Sequence, residues 1–478
     1  MTFTPSLAGR VLAGLAAAFV VGVEGARAEP AEPAELVSAF RALSSNSDAY
    51  CSRISLIRSA TRRIDIQTYI LTPDITGSGL IRELEAAAGR GVAVRLLLDD
   101  YGSHEAKPRL DTLRRTPGVE IRYVNASQHR GLGRRIEYFL RFGQLNRRMH
   151  NKSFIVDDRA AIIGGRNIGD VYFRQGEVKF ADLDVMVEGP VVANLTDVFD
   201  LYWNAPLAAP LDAIEPLPAR PRAFRDPSPE LAPRCEGGTE PPALVQSAPT
   251  LVFSDPPTKL YARPDAPHAF DPIREQIRRE IGAPSQSLLV ISPYFIPSDD
   301  WVEGLVALRA RGVDVRVLTN SAKATNSTPV HAAYSKYRLD LLEGGVRLFE
   351  FKPTGEPVEE PDLEFAGLNS RSTLHAKTFA VDGEKIFVGS FNFDPRSVNL
   401  NTEMGLILRS APAAQGVGTY FDEGVRNTAY ELQTRKGRVV WKDLASADGR
   451  VLTREPDVNL FQRFLLRLLA VAPIEHLL

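Results

Sequence analysis

The chain predicts an α/β fold of two repeated halves, with mixed, mainly parallel sheets packed together around one shared active site. Three observations lead there. Local patterns recur along the chain at an offset of 221 to 225 residues, the mark of an internal duplication. Each copy reads strand, helix, strand, an order that implies a right-handed crossover and parallel neighbours. Each copy also carries the same short polar motif, with identical internal spacing, beginning at His150 and at His375.

Taken in order, residues 1–28 read as a secretory leader: Arg10, an apolar stretch from Val11 to Val23, then Ala26-Arg27-Ala28 as a small-residue cleavage site, so that the mature chain starts at Glu29. The apolar run is shorter than the ~20 residues a spanning helix needs, which disfavours an uncleaved anchor. The first repeat covers 29–210. In it Ile64 to Ile70 alternates as a strand, Leu80 to Gly89 is helical after Pro73, Gly91 suits a left-handed cap, and Ala93 to Leu98 is the next strand. Residues 211–249 are dense in proline without apolar periodicity and read as a linker. The second repeat, 250–430, mirrors the first with a strand from Leu288 to Phe295, Pro297, a helix from Trp301 to Ala310, Gly312, and a strand from Asp314 to Leu318. The remainder, 431–478, is a C-terminal tail. Within it Leu460 to Val471 forms a short apolar helix punctuated by Arg463 and Arg467, which suits either a membrane interface or a cap on the core.

Composition narrows the function. With 478 residues, 44% of them hydrophobic and 24% charged, the chain is an ordinary globular protein too long for a single core. A net charge of −2 lacks the basic excess of a polyanion binder, so no nucleic-acid partner is expected. The local cluster Arg134, Arg135, Arg141, Arg147 and Arg148 suits one local anion. Export would place Cys51 and Cys235 where a disulfide can close, but spacing alone leaves a bridge and two isolated thiols equally open.

The chemistry lies in His150-Asn151-Lys152, Asp157, Gly164, Gly165 and Asn167, mirrored by His375-Ala376-Lys377, Asp382, Gly389, Ser390 and Asn392. Alternation along a strand puts His and Lys on one face. A turn at Asp157-Asp158 or Asp382-Gly383 and a returning strand then bring the glycines, Ser390 and the asparagines back to the histidine end. Lysine charge and asparagine donors suit the non-bridging oxygens of a phosphate. Of two such histidines, one can attack phosphorus while the other protonates the departing alcohol. A carboxylate on the far nitrogen would fix each imidazole; repeat alignment assigns Asp182, with Asp184 as its alternative, to His150, and Glu403 to His375. Asp157 and Asp382 belong to the catalytic motif, though their positions favour holding the turns. Lys152 and Lys377 already neutralise a phosphate, and no cluster has metal-ligand spacing, so neither metal nor cofactor is expected.

The duplicated H-x-K-x4-D, with G-G-x-N or G-S-x-N downstream, resembles the phospholipase D superfamily from about Ile54 to Leu408. Three longer runs, Met149 to Phe154, Gly164 to Gly169 and Gly389 to Ser397, are similar to bacterial cardiolipin synthases, in particular their exported, leader-bearing branch. That resemblance implies two phospholipase D-like halves and a phosphatidyltransferase that makes cardiolipin through a phosphohistidine. It implies glycerophospholipid substrates, with phosphatidylglycerol as acceptor and phosphatidylethanolamine as a further candidate. It also implies a periplasmic enzyme, peripheral on the outer face of the inner membrane. By analogy with the family, His150 is the nucleophile. The competing readings are a hydrolytic phospholipase D or nuclease of the same superfamily, and an inactive lipid-binding scaffold, against which two intact motifs argue. Tyr69, Tyr294, Asp99 and Asp100 fall where substrate loops emerge from such sheets, although tyrosines on strands more often serve the core. His331 reads as a solvated histidine at a helix start.

Overall fold

Runs of β-branched and aromatic residues bounded by Pro, Gly and Asp turns make the strands. The first half holds β1 (Val37–Leu43), β2 (Arg63–Thr68), β3 (Ala93–Asp99), β4 (Val119–Val124), β5 (Ser153–Val156), β6 (Ala160–Gly164), β7 (Lys179–Ala181), β8 (Asp184–Glu188) and β9 (Ala208–Pro210). The second holds β10 (Gln246–Ser254), β11 (Ser287–Ile291), β12 (Asp314–Asn320), β13 (Arg347–Phe351), β14 (Ser372–Leu374), β15 (Thr378–Val381), β16 (Lys385–Gly389), β17 (Met404–Leu408), β18 (Ala429–Arg435), β19 (Arg438–Asp443) and β20 (Val451–Leu452). The structure, a computed structural model, describes residues 36–173, 179–220, 246–261, 282–353, 372–473 and 475–478, with short stretches at 224–227, 232–235, 243–244 and 276–279. The expected leader, 1–28, lies outside the described residues, as do parts of 211–249.

The repeat is visible strand by strand. In the first half β2, β3 and β4 run parallel, and β2, β5, β6, β8 and β1 then follow one another antiparallel. In the second, β11, β12 and β13 are parallel, and β11, β15, β16, β17 and β10 are antiparallel. The α/β class with mixed sheets therefore holds, but the sheets are not mainly parallel. Helical crossovers link β2 to β3 and β3 to β4, and β11 to β12 and β12 to β13, whereas β5 to β6 and β15 to β16 are tight hairpins, which must be antiparallel. Both crossover helices, Ile75–Gly89 and Asp299–Ala310, end as expected at a glycine of positive φ, Gly91 at 92° and Gly312 at 89°.

Strand alternation sorts the core into layers. Phe154, Val156 and Ile162 face the helices Asn46–Ser59 and Ile75–Gly89, while Ile155, Ala161 and Ile163 join Ala380, Ile386, Val388, Val191 and Val417 in a cluster shared by both halves. The halves are also stitched edge to edge. β10 begins inside the stretch read as linker; it pairs with β1 through Val37–Pro249 to Phe40–Gln246, and with β17 on its other edge. Nor is 431–478 a mere tail, because β18 adds to β13 and forms a hairpin with β19. Beyond it the helix Leu460–Ala470 packs on the helix Thr328–Ser335 with Leu466 buried. Leu460, Phe461, Phe464 and Leu468 remain exposed, so the helix covers its neighbour with one face and leaves the other apolar face outward.

Cys51, on the helix Asn46–Ser59, and Cys235 form a disulfide with Cα atoms 5.2 Å apart across 184 residues. Closing so long a loop restricts the unfolded chain and pins the proline-rich segment to the first half. Replacing both cysteines by serine should lower stability by about 2 to 5 kcal/mol, read as a drop in melting temperature that a reducing agent reproduces in the parent protein and not in the variant.

Candidate active site

Each motif histidine lies just before its hairpin, outside the ladder: residues 150–152 precede β5 and residues 375–377 precede β15. His and Lys still lie side by side, because Lys152 Nζ donates to the carbonyl of His150 at 2.6 Å and Lys377 Nζ to that of His375 at 2.5 Å. What holds these segments comes from the opposite half. The His150 N–H donates to Thr402 O at 2.9 Å, and the Thr402 N–H returns a bond of the same length to Arg148 O. On the other side β14 pairs in parallel with β7, and the His375 N–H donates to Ala181 O at 2.8 Å.

The carboxylates follow the backbone across. His150 Nδ1 is 2.8 Å from Glu403 Oε2, and His375 Nδ1 is 2.5 Å from Asp182 Oδ2. Repeat alignment chose the right carboxylates and the wrong partners. Each stands just before an inner strand of its own half, β8 or β17, where the segment bearing the other half's histidine pairs with it, so each reaches the histidine of the other half. Asp184 does not compete, since it is ion-paired with Arg53 at 2.8 Å and Arg166 at 3.4 Å.

The supporting groups differ between the half-sites. Ser390 Oγ donates to Glu403 Oε2 at 2.5 Å and Ser397 Oγ to Oε1 at 2.9 Å. At the matching position of the first half a Cβ on Gly165 would come within 2.2 Å of Asp182 Oδ1, so only glycine leaves the shorter carboxylate its place. Asn167 is largely committed to structure: its Oδ1 accepts from the Ile70 N–H and its Nδ2 donates to Tyr172, leaving one amide N–H for a ligand. Asn392 is buried, and its Oδ1 lacks a hydrogen-bond partner among the described residues. Phe180 stacks on His375 with ring centroids 4.9 Å apart, and Tyr172 and Tyr69 meet His375 and His150 edge-on. Phe180, Tyr172 and Ser397 escape sequence reasoning. Only Ser397 has a signal, closing the Gly389 to Ser397 run.

Burial governs the electrostatics. Desolvation lowers His150 to about 4 and His375 to about 3, against the opposing pull of Glu403 and Asp182, so both imidazoles are neutral near pH 7. It also lowers Lys152 to about 7 and Lys377 to about 8, and each lysine depresses the histidine beside it. Lys377 further depresses Lys152, so the two cations are close enough to repel one another. An anion between them reverses both trends. Glu403 and Asp182 are held below the usual carboxylate range despite burial, by the hydrogen bonds from the His150 and His375 imidazoles and by the charges of Lys152 and Lys377 respectively.

Asp157 and Asp382 stand apart from this chemistry. Asp157, at φ 54°, accepts from the Thr61, Arg62 and Arg63 N–H groups, and Asp382, at φ 53°, accepts from those of Ser285, Gln286 and Ser287. They brace the hairpin turns, about 20 Å of extended chain from their histidines, and are not catalytic groups. Tyr294 hydrogen-bonds Asn326. Asp99 and Asp100 are buried beside Arg148 and Arg130. His331, read as solvated, is buried. Its Nδ1 faces Asn320 O, and Asn320 Nδ2 donates to Leu374 O, immediately before His375. Ligand atoms of His331, Glu350 and Glu455 lie within 4.8 Å of one another. The Arg338 guanidinium, 2.6 Å from Glu350 and 2.9 Å from Glu455, already supplies the cation there.

Two neutral imidazoles, each oriented by a buried carboxylate, with two lysines to hold a phosphate, define a phosphodiester transferase of the phospholipase D fold. A domain family described as "Cardiolipin synthase, PLD-like domain" matches residues 54–203 and 277–424. Cardiolipin synthase C of Escherichia coli (strain K12) is 38% identical over 451 residues, covering 90% of this chain and 94% of that protein. Cardiolipin synthase A of Pseudomonas syringae pv. syringae is 30% identical over 78% of this chain and 66% of its own. The crystal structure of phosphatidylserine synthase from Haemophilus influenzae Rd KW20 superposes with a TM-score of 0.61 at 14% identity, over 93% of this chain and 98% of that one, and so shares the fold. The chain belongs to the PLD-like cardiolipin synthase family.

Two predictions follow from the crossed pairs and the buried lysines. Asp182→Asn should shift the imidazole ¹⁵N resonances of His375 and leave those of His150, Glu403→Gln should do the reverse, and each should cut turnover by about a hundredfold or more. Because deprotonation removes the charge that holds phosphate, kcat/KM should fall as pH rises through about 7 to 8, where Lys152 and Lys377 lose their protons. Occupied by substrate, the lysines hold their protons more tightly, so the alkaline limb of kcat should lie above that of kcat/KM.

Proposed function

We propose that the protein makes cardiolipin by transferring a phosphatidyl group through a phosphohistidine to the glycerol hydroxyl of phosphatidylglycerol. The single observation that carries this reading is the crossed arrangement, in which each half fixes the other half's histidine. One phosphorus is thereby served by two imidazoles of fixed orientation. One imidazole Nε2 attacks phosphorus, the P–N bond forms as the P–O bond to the leaving alcohol breaks, and the other imidazole delivers a proton to the departing oxygen. In the return step that second imidazole removes the proton of the acceptor hydroxyl, which attacks phosphorus and breaks the P–N bond. Lys152 and Lys377 neutralise the non-bridging oxygens throughout.

Phosphatidylglycerol then serves as acceptor, with phosphatidylglycerol or phosphatidylethanolamine as donor. The enzyme works at the outer face of the inner membrane, exported by the leader 1–28. The Cys51–Cys235 disulfide supports an oxidising compartment. No helix of the described residues is long and apolar enough to cross a membrane, so this reading has the folded unit meet the bilayer from one side.

Incubation with phosphatidylglycerol, alone and with phosphatidylethanolamine, should yield cardiolipin; phosphatidic acid as the sole product would assign hydrolysis instead. His150→Ala and His375→Ala should each lower turnover at least about a thousandfold, with the double variant hardly worse, since both act on one transition state. Phosphohistidine should accumulate in His375→Ala, which keeps His150 as nucleophile, and not in His150→Ala. Substantial activity in both single variants would mean that each half holds its own site.

A further inference from the structure

Two helices from opposite halves leave their apolar faces without a partner among the described residues. The helix Leu132–Leu140 exposes Leu132, Ile136, Phe139 and Leu140, with Phe139 84% exposed, and buries only Glu137. The helix Leu460–Ala470 exposes Leu460, Phe461, Phe464 and Leu468, with Phe461 71% exposed. Both spacings put the exposed residues on one stripe. Large apolar side chains on two separate stripes exceed the scattered exposure normal for a protein surface.

Their positions in the fold link them to the site. The helix Leu132–Leu140 spans the chain between β4 and His150, and Arg134 and Arg130 tie it to Asp100, at the carboxyl end of β3. The helix Leu460–Ala470 packs on the helix Thr328–Ser335, which follows β12 and whose His331 meets Asn320 at the carboxyl end of that strand. The segments that follow the two helices converge on one residue: Arg396 donates to Asn146 O at 2.6 Å and to Leu477 O at 3.0 Å. Arg396 lies in the same Gly389 to Ser397 run that supplies Ser390 and Ser397 to Glu403. Both stripes thus flank the edge where the strands deliver His150 and His375.

Charge selects the occupant. Arg135 is exposed beside Phe139, as is Arg467 beside Phe464, and residues 460–471 contain no acid. Glu137, the one acid of the first helix, is turned inward to accept from Ser127, His129 and Arg141. Aromatic and leucine stripes that carry arginine and no outward-facing acid within the helices match the interface of an anionic bilayer, where the ring and alkyl groups enter the headgroup region and the guanidinium groups meet lipid phosphates.

We infer that these two helices form one bilayer-docking face, which seats the mouth of the active site against an anionic lipid surface. The inference rests on the proposed lipid function and adds the surface and orientation through which the lipid is reached. It is tested by sedimenting the purified chain with vesicles of phosphatidylglycerol and phosphatidylcholine, and with vesicles of phosphatidylcholine alone. Binding should be confined to the anionic vesicles and weaken with salt. The pair Phe139→Glu/Leu140→Glu and the pair Phe461→Glu/Phe464→Glu should each lower it at least about tenfold, and together bring it to background. All variants share the parent's N-terminus, so the first 35 residues cannot produce the difference. Because charged variants can misfold, Phe139→Trp and Phe461→Trp give a second reading: emission of each should shift to the blue on anionic vesicles. Parent-like binding by both glutamate pairs, or no shift at either tryptophan, overturns the docking face. A dimer that the glutamate pairs dissolve without changing vesicle binding would assign the stripes to a second copy and overturn it too. Vesicle binding that behaves as expected but yields no cardiolipin keeps the face and removes the proposed reaction.

Discussion

The structure depends on a swap of hydrogen bonds across the seam between its halves. Glu403 and Asp182 are fully buried carboxylates, and an uncompensated buried charge costs several kcal/mol. Their chief partners, His150 and His375, belong to the opposite half. Neither half in isolation could satisfy its own carboxylate in this way, so the folding of each is tied to the presence of the other. The backbone pairings of His150 with Thr402 and of β14 with β7 are the frame that makes the swap geometrically possible. The pairing of β10 with both β1 and β17 holds that frame at its edge. Catalysis and cohesion draw on the same contacts.

The electrostatic consequence is a site whose proton affinities answer to the charge of its ligand. Burial strips His150, His375, Lys152 and Lys377 of solvent and lowers all four. A phosphate anion restores what burial removed, since its charge favours the protonated form of every group around it. The ligand thereby supplies the electrostatic condition under which one imidazole can carry a proton while the other attacks. Ser390 and Ser397 on Glu403 have no hydroxyl counterpart on Asp182 among the described residues; Asp182 sits against Gly165, accepts from the Leu183 N–H through Oδ1 and forms a tighter pair with His375 through Oδ2.

Much of this was legible in the sequence because duplication printed it twice. The offset between copies located the strand, helix and strand of each half, the glycine caps at Gly91 and Gly312, and both His-x-Lys segments. It also identified Asp182 and Glu403 as the relevant carboxylates. Their crossing was not legible, because aligning a chain on itself preserves register within each half and carries no information on which half faces which. The excess of antiparallel pairings was hidden for a related reason: the turns at Asp157-Asp158 and Asp382-Gly383 announce two hairpins, but nothing local says that β2 and β8, or β11 and β17, flank those hairpins or that β1 and β10 follow. Asp157 and Asp382 travel with the motif in sequence, yet their backbone φ values of 54° and 53° and their amide partners make them turn braces. Phe180 and Tyr172 reach His375 through the fold alone.

The exchange of carboxylates has a bearing on ancestry. Two identical copies of one half, related by a twofold axis, would form the same crossed pairs, because in such an interface residue i meets residue j and j meets i. Identity would then force both half-sites to change together. Joining them in one chain breaks that obligation: here one side keeps glycine against a short acid under a stacked phenylalanine, and the other has serines around a longer one. Covalent fusion thus lets a symmetric scaffold specialise its two imidazoles separately, which a reaction with distinct attacking and proton-donating partners can exploit.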